Sequence, residues 1–371
     1  MSKLIAIGKV AEINPRLPRG VTDDNEKLVS FVPMSGVSEE GKLSEALEKK
    51  MGEVCRGYTY FERGDILLAK ISPCMENGKA AYISDLPHHI GFGSTEFQVL
   101  RPGPEVDGRY LFYMVWNPEF RFAAANKMSG AAGQQRVPTD FVRNYQIPLP
   151  PLDEQRRIAA ILDKADAIRR KRQESIRLTE EFLRSTFLEM FGDIPSKKSS
   201  YDFGTIRGFV SAQSGKSSNQ VLSQEQTDIP IYGGNGINGW ATKALFEDNV
   251  IVVGRVGQQC GIVHITDRPV WVTDNAIVLK ITDYTKLHPI YVAEALQKSP
   301  LRSTVEQLDL PFINQATILD HPIPLPPLDM QLEFVKIRAK TLESAYKLNK
   351  SNVFLSQMFN SLTHRAFRGE L

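Results

Sequence analysis

The sequence predicts an α+β protein with a pseudo-twofold internal repeat, in which two globular α/β domains are separated by two long antiparallel helices that form a coiled coil. The first observation is a near-duplicate: residues 147–155 read IPLPPLDEQ and residues 323–331 read IPLPPLDMQ, so that eight of nine positions match. The second is that each copy heads a long segment without Pro or Gly, which ends at Gly192 or Gly369. Self-similarity at a fixed offset, here 176 residues, is the signature of a repeated architecture.

The repeat divides the chain of 371 residues into four parts. A first globular domain is predicted at 1–150, a long helix at 151–192, a second globular domain at 193–326 and a second long helix at 327–371. The length agrees with this division, since a domain typically has about 100–200 residues.

Both segments after the repeated motif have the pattern of long amphipathic helices. In the first, apolar residues such as Ile158, Leu162, Ala165 and Ile168 recur at steps of three and four. Pro-Pro precedes each segment, an Asp stands at the expected N-cap and Gly follows the end, which are start and stop signals. Each helix has 39 residues from Asp to Phe and a length of about 58 Å at ~1.5 Å per residue. A seam this long needs a partner of similar length, and the other copy is the candidate within the chain.

The two globular parts share a weaker likeness. FERGDILLAKI (61–71) parallels FEDNVIVVGRV (246–256), and each predicts a buried strand that ends in a base, Lys70 or Arg255. The other matching elements are predicted strands at Phe97–Leu100 and Ala276–Lys280 and predicted short helices at 110–115 and 291–296. Because turns rich in Gly, Asn and Pro separate these runs, each domain is predicted to be mixed α/β, with loops that differ between the copies.

The charge balance argues against a uniformly basic nucleic-acid binder. The chain carries 45 Lys and Arg against 43 Asp and Glu, with a net charge of +2 and a pI near 8.3. Nucleic-acid-binding domains often have a pI above about 9. Local basic patches remain compatible with this average.

Several classes of protein are excluded by motifs that the sequence lacks. Cys55, Cys74 and Cys260 form no C-x-x-C pair, which argues against a disulfide framework and a thiolate zinc site. No secretory signal and no run of about 18 apolar residues is present, so we expect a soluble cytoplasmic protein with no membrane partner. The adenine methyltransferase element [D/N]-P-P-[Y/F] is absent, the nearest phrase being Asn117-Pro-Glu-Phe. We therefore expect a chain that is not an enzyme and holds no metal or cofactor.

The order of these parts resembles the specificity subunit of type I restriction–modification systems. The resemblance lies in the two PLPPLD-headed helices, the terminal RAFRGEL and the phrases SGAAGQQRVP (129–138) and IYGGNGINGW (231–240), and it covers essentially the whole chain. It implies two target-recognition domains, each of which reads one half of a bipartite target in double-stranded DNA. It also implies that the helices set the distance between the halves and dock two methyltransferase subunits, in which S-adenosylmethionine is expected. Whether restriction subunits join the complex stays open.

The candidate DNA-binding residues of the first domain are amides and bases in strand ends and loops. Gln134 and Gln135 are of the type that pairs with adenine, and Arg136 is of the type that contacts guanine or phosphate. The alternative for segment 129–138 is a flexible loop that only caps the domain. The alternative for Lys70 is a snorkelling basic side chain at the edge of the domain. The full set is Lys70, Lys79, Lys127, Gln134, Gln135 and Arg136.

In the second domain the candidates come from three segments. SAQSGKSS (211–218) is not a Walker A motif, since Val210 stands where the first Gly is needed, and it is expected to be a polar loop. The glycine-rich segment 231–240 either lets DNA approach the backbone or is simply a tight turn, and Tyr232 either stacks on a base or packs in the core. The full set is Lys216, Ser217, Tyr232, Asn235, Asn238 and Arg255.

The basic run Arg169–Arg172 in the first long helix has two interpretations. Such runs are usually a solvated helix face. Under the family resemblance, the run lies over the unread spacer of the DNA and contacts phosphate.

Two functions from other classes stay open. One is a stand-alone bipartite DNA-binding regulator that needs no methyltransferase, and the other is a coiled-coil adaptor with two heads that bind ligands other than DNA. Co-purified methyltransferase separates the first from a specificity subunit, and salt-dependent DNA affinity separates the second.

Overall fold

The computed structural model describes residues 3–20, 24–131, 134–303, 311–368 and 370. The chain forms two compact units. Unit 1 comprises Met1–Gln173 and Lys350–Leu371, and unit 2 comprises Glu174–Asn349. The division falls inside both long helices, so that each unit contains part of each helix.

Unit 1 is built from short strands and helices, followed by the first long helix. Its strands are β1 (Lys3–Ala6), β2 (Ala11–Ile13), β3 (Leu28–Val32), β4 (Leu47–Lys50), β5 (Thr59–Glu62), β6 (Ile66–Ala69), β7 (Ala80–Tyr82), β8 (Ile90–Gly93), β9 (Phe97–Pro102) and β10 (Gln146–Leu149). Its helices are α1 (Ile7–Val10), α2 (Met51–Val54), α3 (Gly108–Trp116), α4 (Pro118–Ala125), α5 (Thr139–Asn144) and α6 (Leu152–Phe191), the last of which continues into unit 2.

Two four-stranded sheets form the framework of unit 1. The first has the order β2-β9-β6-β7 with antiparallel neighbours, and the second has the order β4-β3-β8-β5 with β3 parallel to β8. The central strand β6 is buried on both faces, since Ile66 and Leu68 pack with α3 whereas Leu67 packs with Val32 and Phe61 of the second sheet. This alternation is the period-two geometry of a strand, and it explains why the sequence there is continuously apolar.

Unit 2 follows the same plan. Its strands are β11 (Phe203–Gly204), β12 (Val210–Ser214), β13 (Leu222–Ser223), β14 (Pro230–Gly233), β15 (Gly236–Ala241), β16 (Ile251–Gly254), β17 (Val263–Ile265), β18 (Trp271–Val272), β19 (Ala276–Ile281) and β20 (Ile323–Pro324). Its helices are α7 (Pro289–Lys298), α8 (Gln315–Leu319) and α9 (Leu328–Arg368), the last of which ends in unit 1.

The first sheet of unit 2 repeats that of unit 1. Its order is β12-β19-β16-β17 with antiparallel neighbours, so that β16 takes the central place of β6. Ile251 and Val253 pack with Tyr291 of α7, whereas Val252 packs with Val278 on the opposite face. The second sheet, β13-β15-β14-β18, again contains one parallel pair, β14 with β18. The parallel pair is central in unit 1 and at the sheet edge in unit 2, so the predicted likeness of the two globular parts is confirmed in the strand order of the first sheet.

The long helices α6 and α9 have 40 and 41 residues, respectively. The expected N-caps are wrong, because α6 already starts at Leu152 and α9 at Leu328, which places Asp153 and Asp329 in the first turn. A negative charge in the first turn is still favourable beside the helix N-terminus. The expected stop of the first helix is confirmed: Gly192 has φ +85°, and its N–H donates to the Leu188 carbonyl at 2.8 Å. Gly369, the expected stop of the second helix, lies outside the described residues.

Each unit combines the start of one long helix with the end of the other. In unit 1, Ile158 and Leu162 of α6 share a core with Phe359 near the end of α9. In unit 2, the ring of Phe187 near the end of α6 lies 5.4 Å from the ring of Phe334 near the start of α9. This pairing of starts with ends is what the predicted antiparallel arrangement requires.

The glutamine that ends each repeated motif is fully buried and makes the same contacts in both units. Its side-chain amide joins a proline ahead of the long helix to the backbone ahead of the short helix, α3 or α7. The bonds are Asp107 N to Gln155 Oε1 (2.8 Å), Gln155 Nε2 to Glu105 O (3.0 Å) and Pro150 O (2.8 Å), His288 N to Gln331 Oε1 (2.8 Å), and Gln331 Nε2 to Lys286 O (2.9 Å) and Pro326 O (2.8 Å). The motif recurs because each copy fastens a long helix to its globular part.

Two members of the basic run in α6 are not solvated. Arg169 and Arg170 both pair with Asp166, and their side chains are only 14% and 16% exposed, while that of Asp166 is 8% exposed. Arg170 also donates to the Glu40 carbonyl at 2.6 Å. The interpretation as a solvated face is therefore wrong for these two residues, because a buried carboxylate holds both guanidinium groups against the helix.

Within the described ranges, no helix combines the length and the apolar composition that crossing a membrane needs. Within those ranges, no three His, Cys, Asp or Glu side chains come together as a metal-binding group. Cys55, Cys74 and Cys260 are free thiols.

Candidate nucleic-acid interface

The predicted residues of unit 1 meet where β6 ends. Lys70 follows β6 directly, and its backbone N–H donates to the Glu96 carbonyl at 2.9 Å. The loop that carries Gln134, Gln135 and Arg136 lies alongside. The backbone bonds that hold it there are Val137 N to Lys70 O (2.9 Å), Ser72 N to Gln135 O (2.9 Å) and Arg136 N to Ser129 O (2.9 Å). The fold thus brings four of the predicted residues together at one sheet edge.

Arg136 is held in one orientation by Glu96. Its Nε donates to Glu96 Oε2 at 2.9 Å and its Nη2 to Glu96 Oε1 at 2.7 Å, while Nη1 donates to the Gln134 carbonyl at 2.9 Å. The hydrogen bonds from Arg136 lower the pKa of the Glu96 carboxyl, so that the pair stays charged at neutral pH. A guanidinium has five N–H donors in a planar fork, and these bonds leave two of them without a partner among the described residues.

The remaining members of the unit 1 set flank this edge. The side chains of Gln134 and Gln135 are exposed, as is that of Lys127 at the turn after α4. Lys79 is half-buried: its carbonyl accepts from Ala69 N at 2.9 Å, and its Nζ donates to the Met34 carbonyl at 3.3 Å. Lys79 is therefore tied to the fold, whereas the two glutamines and Lys127 point into solvent.

Unit 2 presents an equivalent edge. β12 and β16 both run antiparallel to β19, which lies between them, so that they end at the same side of the sheet. Arg255 follows β16, and its Nη1 lies 3.4 Å from Ser214 Oγ at the end of β12. The segment 211–218, expected to be a polar loop, is a strand as far as Ser214, because residues 210–214 pair with β19. Lys216 and Ser217 lie in the remaining loop with exposed side chains.

The glycine-rich segment forms a hairpin between β14 and β15 whose turn lies against this edge. Gly236 has φ +92°, which favours glycine. A Cβ on Gly234 would stand 3.2 Å from the Cα of Gly254, and a Cβ on Gly254 would stand 2.1 Å from the Gln259 carbonyl oxygen. The tight-turn interpretation of the glycines is therefore confirmed, because backbones approach each other here.

The polar residues of the hairpin have different surroundings. Asn235 is exposed at the turn. Asn238 is exposed, with its Nδ2 only 2.7 Å from where a Cβ of Gly233 would stand. Tyr232 is half-buried against an apolar cluster, its ring centroid lies 6.2 Å from that of His264, and burial raises the pKa of its hydroxyl. The ring therefore packs against the cluster on one side, and its stacking on a base stays a prediction.

Two residues of these edges were missed in the sequence. Glu96 holds Arg136, and the ring of Phe312 lies under the guanidinium of Arg255 with 5.2 Å between Cζ and the ring centroid. Phe312 stands opposite Arg136 at the 176-residue offset of the repeated motif, so an alignment of the two halves at that offset finds it. Glu96 carries no comparable signal, since it is recognised only through its contact with a residue 40 positions away.

Comparison with known proteins gives one family and several relatives. The family model described as the type I restriction modification DNA specificity domain matches residues 3–179 and again residues 198–352. The specificity subunit of the type I restriction enzyme EcoAI from Escherichia coli is 45% identical over 152 residues, which are 40% of this chain and 25% of that protein. The EcoEI specificity subunit, also from Escherichia coli, is 42% identical over 163 residues, which are 43% of this chain and 27% of that protein.

The matched stretch thus spans about a quarter of the length of these curated relatives. Among solved structures, the S subunit of a type I restriction–modification system from M. genitalium has a TM-score of 0.65 at 15% identity, covering 98% of this chain and 96% of that chain. At this identity, the likeness concerns the fold.

Proposed function

This chain belongs to the family of type I restriction–modification DNA specificity domains, and on that premise we propose that it reads DNA sequence for such a system, with one half of a bipartite target read by each unit. The observation that carries the proposal is that both units present the same sheet edge, with different loops on it. A shared framework places the two readers alike, and divergent loops let them read different bases.

The residues at the two edges fit the division of labour in DNA recognition. Exposed lysines such as Lys127 and Lys216 are suited to phosphates, which give affinity and position but no sequence information. The exposed amides of Gln134, Gln135 and Asn235 are suited to the N6 and N7 atoms of adenine in the major groove. We propose that each edge makes both phosphate contacts and base contacts.

The long helices supply a surface for protein partners. They expose large apolar side chains, among them Phe182 (54% exposed), Tyr346 (70%), Val353 (60%) and Phe354 (65%). Exposed apolar side chains next to one another, such as Val353 and Phe354, favour a protein interface over a solvated face. We propose that two methyltransferase subunits dock here, that they bind S-adenosylmethionine and carry out catalysis, and that the helices set the spacer between the half-sites.

Co-expression with the methyltransferase of the same system tests the proposal. The methyltransferase should co-purify with the chain, and the complex should bind DNA with log K falling linearly in log salt, by about 0.9 per phosphate contacted. Lys216→Ala should reduce that slope by about one. Lys3→Ala, an exposed lysine on the separate β1–β10 pair, is the matched control and should leave the slope unchanged. A complex that shows no salt-dependent DNA binding would overturn the proposal.

A further inference from the structure

The edges of the two units have matching backbone hydrogen bonds. The residue after the central strand donates to the residue ahead of β9 or β19, and then accepts from the chain that returns beside it. The matching pairs are Lys70 N to Glu96 O (2.9 Å) with Arg255 N to Asn275 O (3.0 Å), Val137 N to Lys70 O (2.9 Å) with Ile313 N to Arg255 O (3.0 Å), and the antiparallel bridges Ile71–Arg136 with Val256–Phe312. Lys70 therefore corresponds to Arg255, and Arg136 to Phe312.

The arginine stands at a different one of these corresponding positions in each unit. Unit 1 has lysine after the central strand and arginine on the returning chain, whereas unit 2 has arginine after the central strand and phenylalanine on the returning chain. Each unit thus carries one guanidinium at these positions. In unit 1 it comes from the returning chain, and in unit 2 from the residue after the central strand. The matching backbone bonds do not by themselves require an arginine at either position. A requirement for one guanidinium in each unit explains why each has one.

Each guanidinium is also held by a different neighbour. The Glu96 carboxylate binds Nε and Nη2 of Arg136 and the Gln134 carbonyl accepts from Nη1, which leaves one N–H on each of Nη1 and Nη2 without a partner among the described residues. Arg255 lies over the ring of Phe312 and reaches Ser214 Oγ with Nη1. A carboxylate and an aromatic face are the two surroundings that fix the plane of a guanidinium while leaving donors for another ligand.

We propose that Arg136 and Arg255 are equivalent DNA contacts, each presenting a planar guanidinium to the same place in its own half-site, and that Glu96 and Phe312 are the positioning residues that hold them. The ligand is the paired acceptor atoms of guanine or of a phosphate, both of which match the guanidinium fork. The inference rests on the proposed function, because it assumes that the two edges face DNA.

A transplant tests the equivalence. Arg136→Phe should remove the unit 1 guanidinium and weaken binding of the complex to a duplex carrying its mapped methylation motif by about tenfold or more. Adding Lys70→Arg and Glu96→Asn to Arg136→Phe gives unit 1 the arrangement of unit 2, and should recover most of the lost affinity. If the triple variant binds no better than Arg136→Phe alone, while its thermal unfolding matches the wild type, the equivalence is wrong.

The positioning role has its own readout. Glu96→Gln removes the ion pair and keeps Arg136, so it should weaken binding to the duplex that carries the motif and, where the ligand is guanine, also change the base preference in the half-site of unit 1, as mapped on methylated genomic DNA. Phe312→Leu should change only the other half-site, so that each half-site serves as the control for the other. Unchanged preference together with unchanged affinity in both variants would reduce Glu96 and Phe312 to structural residues.

The motif mapped for Arg136→Lys separates the two ligand sources. Because lysine keeps the charge and loses the fork, a guanine contact should lose its base preference, whereas a phosphate contact should keep it. A wild-type complex that does not bind DNA at all overturns the proposed function, whereas normal binding by wild type and by Arg136→Phe overturns only this inference.

Discussion

The two buried glutamines of the repeated motif hold each long helix to its globular part through the same set of hydrogen bonds. Gln155 and Gln331 each satisfy one backbone donor and two backbone carbonyls that the surrounding chain leaves unpaired. A buried backbone group that loses its partner costs free energy comparable to a lost hydrogen bond. In both units, the buried glutamine amide therefore fixes the start of the long helix against the backbone ahead of the short helix.

Replacing either glutamine should destabilise the protein markedly. We expect Gln155→Ala and Gln331→Ala each to lower the free energy of unfolding by about 2–4 kcal/mol, because several buried polar groups lose their partner at once. Denaturant unfolding of the full chain measures this. Gln146→Ala removes an exposed amide and should change the unfolding free energy by less than about 0.5 kcal/mol. Equal effects of the buried and exposed substitutions would contradict this role of Gln155 and Gln331 in stability.

The buried carboxylate of Asp166 should matter more than any exposed one on the same helix. Asp166→Ala leaves Arg169 and Arg170 without their buried partner, and should cost about 3–5 kcal/mol of unfolding free energy. The matched control is Glu174→Ala, which breaks the pair with Arg177, where both side chains are 52% exposed. Exposed pairs of this kind contribute about 0.3–0.5 kcal/mol. A small effect of Asp166→Ala in denaturant unfolding would show that the two arginines find other partners.

At the scale of elements, the corresponding helices α3 and α7 are capped by different chemistry. Asp107 Oδ1 accepts from Tyr110 N at the start of α3, whereas His288 Nδ1 accepts from Ile290 N at the start of α7. Only neutral histidine can accept in this way. Burial lowers the pKa of His288, which keeps the cap neutral at physiological pH.

Acid should therefore weaken unit 2 through this cap. A lowered folded pKa means that the unfolded chain binds more protons, so the contribution of His288 is complete above its ordinary pKa and is lost as the pH falls through the folded value. We expect unfolding free energy to drop between about pH 7 and about pH 5, and His288→Asp to reduce that drop. His264 and His321 have pKa values lowered by burial as well, so part of the drop should remain. A variant with an unchanged pH profile in denaturant unfolding would contradict the role of the cap.

The extents of the long helices could be predicted because their signals are local. The apolar period, the prolines ahead of Leu152 and Leu328, and Gly192 after α6 all act within a turn or two of the residues they govern. The pair of Arg136 with Glu96 could not be predicted, because the two residues are 40 positions apart and meet only through the sheet. The burial of Arg169 and Arg170 was missed for the same reason, since it depends on packing around Asp166 that periodicity does not show.

At the scale of the whole molecule, the repeat governs the organisation of both units. Each of α6 and α9 is continuous and contributes to both units. The nearly neutral charge of the chain is consistent with the proposal that the DNA-facing edges are a minor part of the surface and that the helices face protein partners.

Lengthening both helices should change the spacer and leave the half-sites alone. Insertion of four residues after Gln173 and after Asn349, where the units divide, adds about 6 Å at ~1.5 Å per residue. That corresponds to roughly one to two base pairs at ~3.4 Å each. We expect a methylation motif with the same two specified blocks and a longer gap. Altered blocks with an unchanged gap would contradict the role of the helices.

The central claim is tested most directly by base-resolution mapping of methylated adenines in cells that express this chain with its methyltransferase. The account predicts one bipartite motif, made of two short specified blocks separated by a fixed unspecified spacer, which disappears when the chain is removed. Methylation at a single uninterrupted block, or a motif that persists without the chain, would contradict it.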